Sequence, residues 1–350
     1  MRKILKKIHL WVGLIFCLPL ILMGLSGSIL IFERETENLL KPTYKLEKGE
    51  TQEIEKIIEH ATQNLDQNLK PNLYKASKDN NPALVRLSAK NKFVEVLIDP
   101  VSLQILEKKE GSNSIIKTIE QFHTSLLLRD YGGRNIVGIF GIAFLILALS
   151  GIIIWFPKVG SFKSSLFLQK NLCGFVFHKN LHKVFGFWSL VFIFIISFSG
   201  IYLAFSKQIN GIFFKETFGK NITIEANKEI NPKSLNDLVI KASNEFENAK
   251  LISIIFANKE KQPMRINFAS DNYIDGQPYI TVFINQFSGE ILSIRNPQEY
   301  SIGEKFVSWL KPLHTAQGLG IFWYMIIFFI GLLPILFSIT GFLMWKKKRK

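Results

Sequence analysis

Cysteine is almost missing from this chain: 350 residues contain two, Cys17 and Cys173. Cys17 falls in an apolar run and Cys173 in a basic one, so no disulfide framework is available. A glycine-rich phosphate loop, a dinucleotide fingerprint and any nucleophile–His–Asp order are missing too. Gly132-Gly133 is a turn signal and nothing more. Flavin or nicotinamide chemistry would need another protein or a bound electron carrier.

The most informative absence is charge. Asp, Glu, Lys and Arg do not occur in residues 8–32, 135–157, 184–206 or 312–345. The shortest of these runs is 23 residues. As helix that is about 35 Å at 1.5 Å per residue, enough to cross a hydrocarbon core of about 30 Å. Four transmembrane helices are expected. Acids are missing from a second set of places. Residues 2–7, the loop 158–183 and the tail 346–350 carry fourteen Lys or Arg and no Asp or Glu. The net charge of +15 therefore sits at three alternating flanks of the apolar runs, and the remainder is nearly neutral. That distribution excludes a nucleic-acid surface and fits the positive-inside rule. It predicts cytoplasmic termini and a cytoplasmic middle loop. The first run is longer than a signal-peptide core, and no A-x-A-like site follows it, so a retained helix is expected.

The expected order is a lead and first span (1–32), an exported segment (33–134), a second span (135–157) and a cytoplasmic loop (158–183). The order repeats with a third span (184–206), a second exported segment (207–311) and a fourth span with its basic tail (312–350). Side chains repeat with it. The first span reads His9-Leu-Trp-Val-Gly13 and reaches Ser26-Gly27; the third reads His182-Lys-Val-Phe-Gly186 and reaches Ser199-Gly200. Phe122-His123-Thr124 precedes the second span, which ends Ser150-Gly151-x3-Trp155. Leu313-His314-Thr315 precedes the fourth, which ends Thr340-Gly341-x3-Trp345. The exported segments match more loosely. Helical periodicity at 51–64 is followed by strands at 84–88, 93–98 and 103–107, with an Asp99-Pro100 turn. A helix at 234–247 is followed by strands near 251–257, 263–268, 279–285 and 290–294, with a Ser288-Gly289 turn. The fold class is thus a mainly α membrane protein, internally duplicated, with four spans and two small α+β exported modules.

The basic lead into His-x3-Gly, the Ser-Gly ends and the paired modules resemble the PepSY-associated transmembrane helix family over essentially the whole chain. Within it, the chain resembles the haem-containing inner-membrane ferric-siderophore reductases. The resemblance implies a bacterial inner-membrane location and PepSY-like periplasmic modules. It further implies two haem b groups, reduction of a ferric siderophore in the periplasm with release of Fe(II), and a cytoplasmic or quinone-like electron donor.

Five of the six histidines stand at span entrances, with His9, His178 and His182 on the cytoplasmic side and His123 and His314 on the exported side. His60 reads as a surface residue. A lone His at a span end is ordinarily an interfacial polar group. Two duplicated pairs are a different matter, because ionisable groups near membrane depth are costly and imidazole is a common axial ligand of haem iron. A bis-His haem needs one His from each of two helices at equal depth, which His9 with His182 and His123 with His314 satisfy. Gly13 and Gly186 lie one turn in from His9 and His182 and would leave room for a flat macrocycle, although small residues also serve helix packing. His178 lies one turn before His182 and could replace it as ligand, or assist at the haem edge or donor site. The same i, i+4 pair could bind zinc, but the loop offers no carboxylate. Arg129, Arg134 and Lys311 are candidates for haem propionates or an anionic chelate, or simple interface anchors. A non-redox alternative is a PepSY-type sensor or transporter accessory whose sheet edges bind a peptide or protein.

Overall fold

The structure is a computed structural model, describing residues 2–33, 35–36, 42–63, 65–78, 81–89, 92–111, 115–157, 161–219, 221–225, 231–259 and 261–349. The helices that matter below are, in chain order, α1 (Arg2–Ile31), α2 (Ile54–Thr62), α3 (Ile115–Ser125), α4 (Gly133–Trp155), α5 (Gly174–Trp188), α6 (Leu190–Phe213), α7 (Leu235–Ser243), α8 (Ile302–Thr315) and α9 (Gly320–Arg349). The strands are β1 (Lys70–Lys75), β2 (Ala83–Ala89), β3 (Lys92–Ile98), β4 (Ile105–Glu110), β5 (Lys250–Ile255), β6 (Met264–Ala269), β7 (Ile280–Ile284) and β8 (Ile291–Arg295). They form two compact units: residues 1–39, 114–210 and 306–350 in one, 40–113 and 211–305 in the other.

The first unit is helical. Helices α1, α4, α6 and α9 are each long and apolar enough to cross a membrane. They turn large side chains such as Ile15, Leu18, Ile153, Val191 and Phe329 outward, as a helix solvated by lipid does. Two of the apolar runs are not single helices. The run 184–206 is broken at Ser189, where α5 gives way to α6. The run from 312 is broken between α8 and α9, where Ala316, Gly318 and Gly320 take left-handed backbone conformations. Absence of charge marks an apolar environment; it does not mark where a helix bends.

One end of the bundle is basic. The Arg2 guanidinium donates to the carbonyls of Ile154 at 2.8 Å and Phe156 at 2.9 Å. It thereby satisfies acceptors that the last turn of α4 leaves free. Lys347 Nζ lies 3.9 Å from where a Gly174 side chain would begin. The start of α1, the end of α4, the start of α5 and the end of α9 therefore share this end. Small residues let the spans cross closely. Gly24 of α1 meets Gly331 of α9 backbone to backbone, with Ser28 against Gly331. In the same way Gly141 of α4 meets Ile201 and the Ser197 carbonyl of α6.

The second unit is one antiparallel sheet of eight strands, ordered β4-β3-β2-β1-β5-β6-β7-β8. Two four-strand meanders make it up, and β1 and β5 pair with each other, Tyr74 opposite Ile254, a pairing the sequence does not announce. The pairing removes two edges that would otherwise expose unpaired backbone groups. Strand β1 was not among the expected strands: Lys70-Pro71-Asn72 opens it and a bulge interrupts its register. One face packs under α2 and α7. Val85, Leu87, Val96, Ile98, Ile254, Ile266, Phe268, Val282 and Ile284 alternate inward against Ile57, Ala61, Leu235, Leu238 and Ala242. The β3–β4 and β7–β8 turns are built alike. Asp99 accepts from the backbone N–H of Val101 and Ser102, and Asn285 from those of Phe287 and Ser288. Leu103 and Gly289 both take positive φ, 63° and 73°.

Candidate functional site

Sequence logic placed four histidines in two pairs, and the helices bring those pairs together. His9 of α1 and His182 of α5 stand with ring centroids 6.2 Å apart and planes at 75°. His123 of α3 and His314 of α8 stand 6.3 Å apart at 47°. The first pair lies towards the basic end. The second lies towards the opposite end, against Ser26 and Gly27, about 25 Å of helix beyond His9 on α1.

Each ring is held by a hydroxyl from a span. Ser150 of α4 bonds His9 Nδ1 at 2.9 Å, and Thr340 of α9 bonds His182 Nδ1 at 2.8 Å. Ser26 of α1 bonds His123 Nδ1 at 2.9 Å, and Ser199 of α6 bonds His314 Nδ1 at 3.0 Å. All four hydroxyl residues are buried. The residue after each is glycine, and each glycine lies beside the Cε1 edge of the same ring. A side-chain carbon on Gly27 or Gly200 would stand 3.0 Å from that Cε1, on Gly151 3.4 Å, and on Gly341 4.0 Å. Within each half of the chain, the spans and their flanking helices hold each other's histidines; each pair then joins one His from either half.

These hydroxyls were missed as partners, although the signal was present. The Ser-Gly and Thr-Gly dipeptides stand in the sequence as repeats at the ends of spans. The glycine eighteen residues after His9 faces the histidine of the other pair, His123. A side-chain carbon on Gly13 would stand 3.7 Å from Leu147 Cδ2, and one on Gly186 4.0 Å from the Phe337 ring. The Phe337 ring packs edge-on against His182 at 5.0 Å.

The remaining candidates lie outside the pairs. His178 is half-exposed on α5 and meets its neighbour Phe177 at 5.6 Å. Arg129 is exposed in a short 3-10 turn. Arg134 donates to the Leu203 carbonyl and to Ser206 Oγ on α6, so it ties α4 to α6. Lys311 is exposed, and His60 sits on α2 in the sheet unit. Among the described residues, no three or more of His, Cys, Asp and Glu gather as a metal cluster, which leaves His178 and His182 without further zinc ligands.

The donor set fits a bis-imidazole iron. Two imidazoles bound to one metal at about 2 Å each place their centroids roughly 6 Å apart, since a centroid lies ~1 Å behind its nitrogen. Both pairs have that separation. Neutral nitrogen ligands without carboxylate or thiolate neighbours suit haem better than a structural divalent ion. The glycines supply the space in which such rings can stand against a span.

The chain matches the family described as PepSY-associated TM region over residues 6–348. No curated protein matches it.

Proposed function

The chain belongs to the PepSY-associated TM region family, and on that footing we propose that it is a di-haem b oxidoreductase of the bacterial inner membrane. It carries electrons from the cytoplasmic side to the periplasmic side and there reduces a ferric siderophore, releasing Fe(II). The observation that carries this reading is the matched geometry of the two histidine pairs, 6.2 and 6.3 Å, towards opposite ends of one bundle of apolar helices.

His9 and His182 would hold one haem, and His123 and His314 the other. Haem supplies one-electron Fe(III)/Fe(II) chemistry when bound. The chain's own contribution is position and environment. Ser150, Thr340, Ser26 and Ser199 orient the imidazoles, the glycines beside them keep the rings close to the spans, and the apolar helices exclude water. By the positive-inside rule the fourteen-to-zero basic excess puts the termini and the loop 158–183 in the cytoplasm, and the segments 33–134 and 207–311 in the periplasm. In this reading the fused sheet is a pair of PepSY-like modules and the chain an internal duplication. The parallel hydroxyl–His bonds and the two like-built turns support it. Siderophores are oxygen-rich and suit hard Fe(III); one electron converts the iron to a softer ion that they hold less well. The donor is a quinone-like or cytoplasmic reductant.

The test is reoxidation. Purified protein should be red, with two reducible b-type haems. Once chemically reduced under anaerobic conditions, it should be reoxidised by a ferric siderophore, with Fe(II) trapped by a ferrous chelator. Iron-free siderophore should have no effect. Haem-containing protein that stays reduced with a range of ferric chelates would remove the reductase assignment and leave an electron carrier for another acceptor.

A further inference from the structure

Proton bookkeeping settles a question that heavy-atom distances alone leave open: which ring nitrogen of each histidine carries hydrogen. A serine or threonine hydroxyl has one proton to donate. In all four cases it is directed at the carbonyl one turn earlier in its own helix. Ser26 Oγ donates to Leu22 O at 2.8 Å and Ser150 Oγ to Ile146 O at 2.6 Å. Ser199 Oγ donates to Ile195 O at 2.6 Å and Thr340 Oγ1 to Leu336 O at 2.7 Å. A hydroxyl so committed can only accept from the imidazole, and Nδ1 must be the donor. The opposite arrangement, hydroxyl to Nδ1, would make one hydrogen bond where the first makes two. His314 gives a second line of argument. Its Nδ1 also lies 3.1 Å from the Ile196 carbonyl, which can accept and never donate.

We infer that Ser26, Ser150, Ser199 and Thr340 are positioning residues that fix all four paired histidines as the Nδ1–H tautomer, leaving Nε2 as the free lone pair for a metal. No described residue forms a hydrogen bond to Nε2 of any of the four. The use of these rings as haem ligands rests on the function proposed above; the tautomer does not. The partner is a neutral hydroxyl in every case, not the carboxylate that often backs a metal-bound histidine, so each ligand remains a neutral imidazole with little imidazolate character. Backbone carbonyls stand behind three of the rings as well: Ile196 for His314 at 3.1 Å, Met23 for His123 and Leu147 for His9.

Two measurements test this on the full chain in detergent. In the first, nitrogen NMR of histidine-labelled protein reads the tautomer without reference to activity. The four paired rings should show protonated Nδ1 and bare or metal-bound Nε2. Rings protonated at Nε2 would overturn the inference, whether or not haem is present. In the second, Ser26→Ala, Ser26→Thr and Ser199→Ala are compared by haem content and low-spin EPR. Ser26→Ala should shift the g values of one haem and weaken its retention about tenfold, the low end for loss of a partner behind a ligand. Ser26→Thr should restore both, and Ser199→Ala should have a like effect at the His314 ring. Unchanged spectra and haem content in both alanine variants would overturn the positioning role. Wild-type protein that binds no haem but shows the Nδ1–H tautomer would instead overturn the proposed function and leave this inference standing.

Discussion

Gly27 lies against the edge of His123 so closely that a methyl group in place of its hydrogen would stand 3.0 Å from the ring's Cε1. Gly200 and His314 have the same relationship at the same distance. At the other pair the corresponding gaps widen to 3.4 Å at Gly151 and 4.0 Å at Gly341.

This gradient ranks four alanine substitutions. Gly27→Ala and Gly200→Ala should push the ring back by a few tenths of an ångström, stretching its bond to Ser26 or Ser199. Haem retention at that pair should fall roughly tenfold, in the range seen when the support of a ligand is lost. Gly341→Ala meets only ordinary contact and should retain full haem content, with Gly151→Ala between. Pyridine haemochrome titration of the four purified variants decides the order; equal loss in all four would show that the gaps do not govern ligand placement.

The sheet unit contains its own control for a buried carboxylate. Burial alone would raise the Asp99 carboxyl, but the N–H groups of Glu47, Val101 and Ser102 outweigh it and hold the group below the ordinary carboxylate range. A lowered folded-state pKa stabilises the fold above the unfolded value, about 3.9, and that stability is lost as pH falls through the folded value. Asn285 makes the like-built turn without a charge. Asp99→Asn keeps an acceptor for Val101 and Ser102 but sets an NH2 donor opposite the Glu47 N–H, so it should cost less than Asp99→Ala at pH 7 and should flatten the acid limb of stability below about pH 4. Asp99→Ala strands buried N–H groups and should cost about 1–3 kcal/mol. Thermal melts of the full chain across pH 3–7 compare the three proteins. An Asn variant as unstable as the Ala variant would show that the charge itself is required.

Much of this was legible because each feature had a one-dimensional signature. Uncharged runs marked the four spans, and strand-like stretches set off by turns marked seven of the eight strands. Equal depth picked out His9 with His182 and His123 with His314. What could not be read had no such signature. The β1–β5 pairing joins residues far apart in sequence, and β1 begins with Lys70-Pro71-Asn72, which suppresses the alternating pattern. The hydroxyl partners were hidden for a related reason: Ser26 is linked to His123, 97 residues away, while its own helix carries a different histidine. Repetition in the sequence pointed to the dipeptides without saying which ring each one meets.

Orientation is the next expectation to check, because the assignment of donor and acceptor sides depends on it. Reporter fusions after Glu33 and after Lys207 should be exported, and a fusion after Lys170 should remain cytoplasmic. The basis is the sequence: residues 2–7, 158–183 and 346–350 carry fourteen basic residues and no acid. An exported reading at Lys170 would reverse the proposed direction of electron flow while leaving the pairing of histidines untouched.

The choice between His178 and His182 gives the sharpest test of the pairs themselves. Both lie on α5 one turn apart, and spacing alone let either serve His9. The helix geometry separates them. His182 stands 6.2 Å from His9 and is held by Thr340, whereas His178 is half-exposed beside Phe177. His182→Ala should abolish the haem at the basic end and leave the other, halving the haem content. His9→Ala should give the same result, and His123→Ala or His314→Ala the converse loss. His178→Ala should keep both haems. Redox titration distinguishes which haem survives, because the two sites have different surroundings and should titrate separately. Loss of haem from His178→Ala with retention in His182→Ala would mean that the ligand is the residue one turn earlier and that the Thr340 bond serves packing alone. Complete loss from every single variant would show that neither site forms without the other, and independent occupancy of the two pairs would have to be given up.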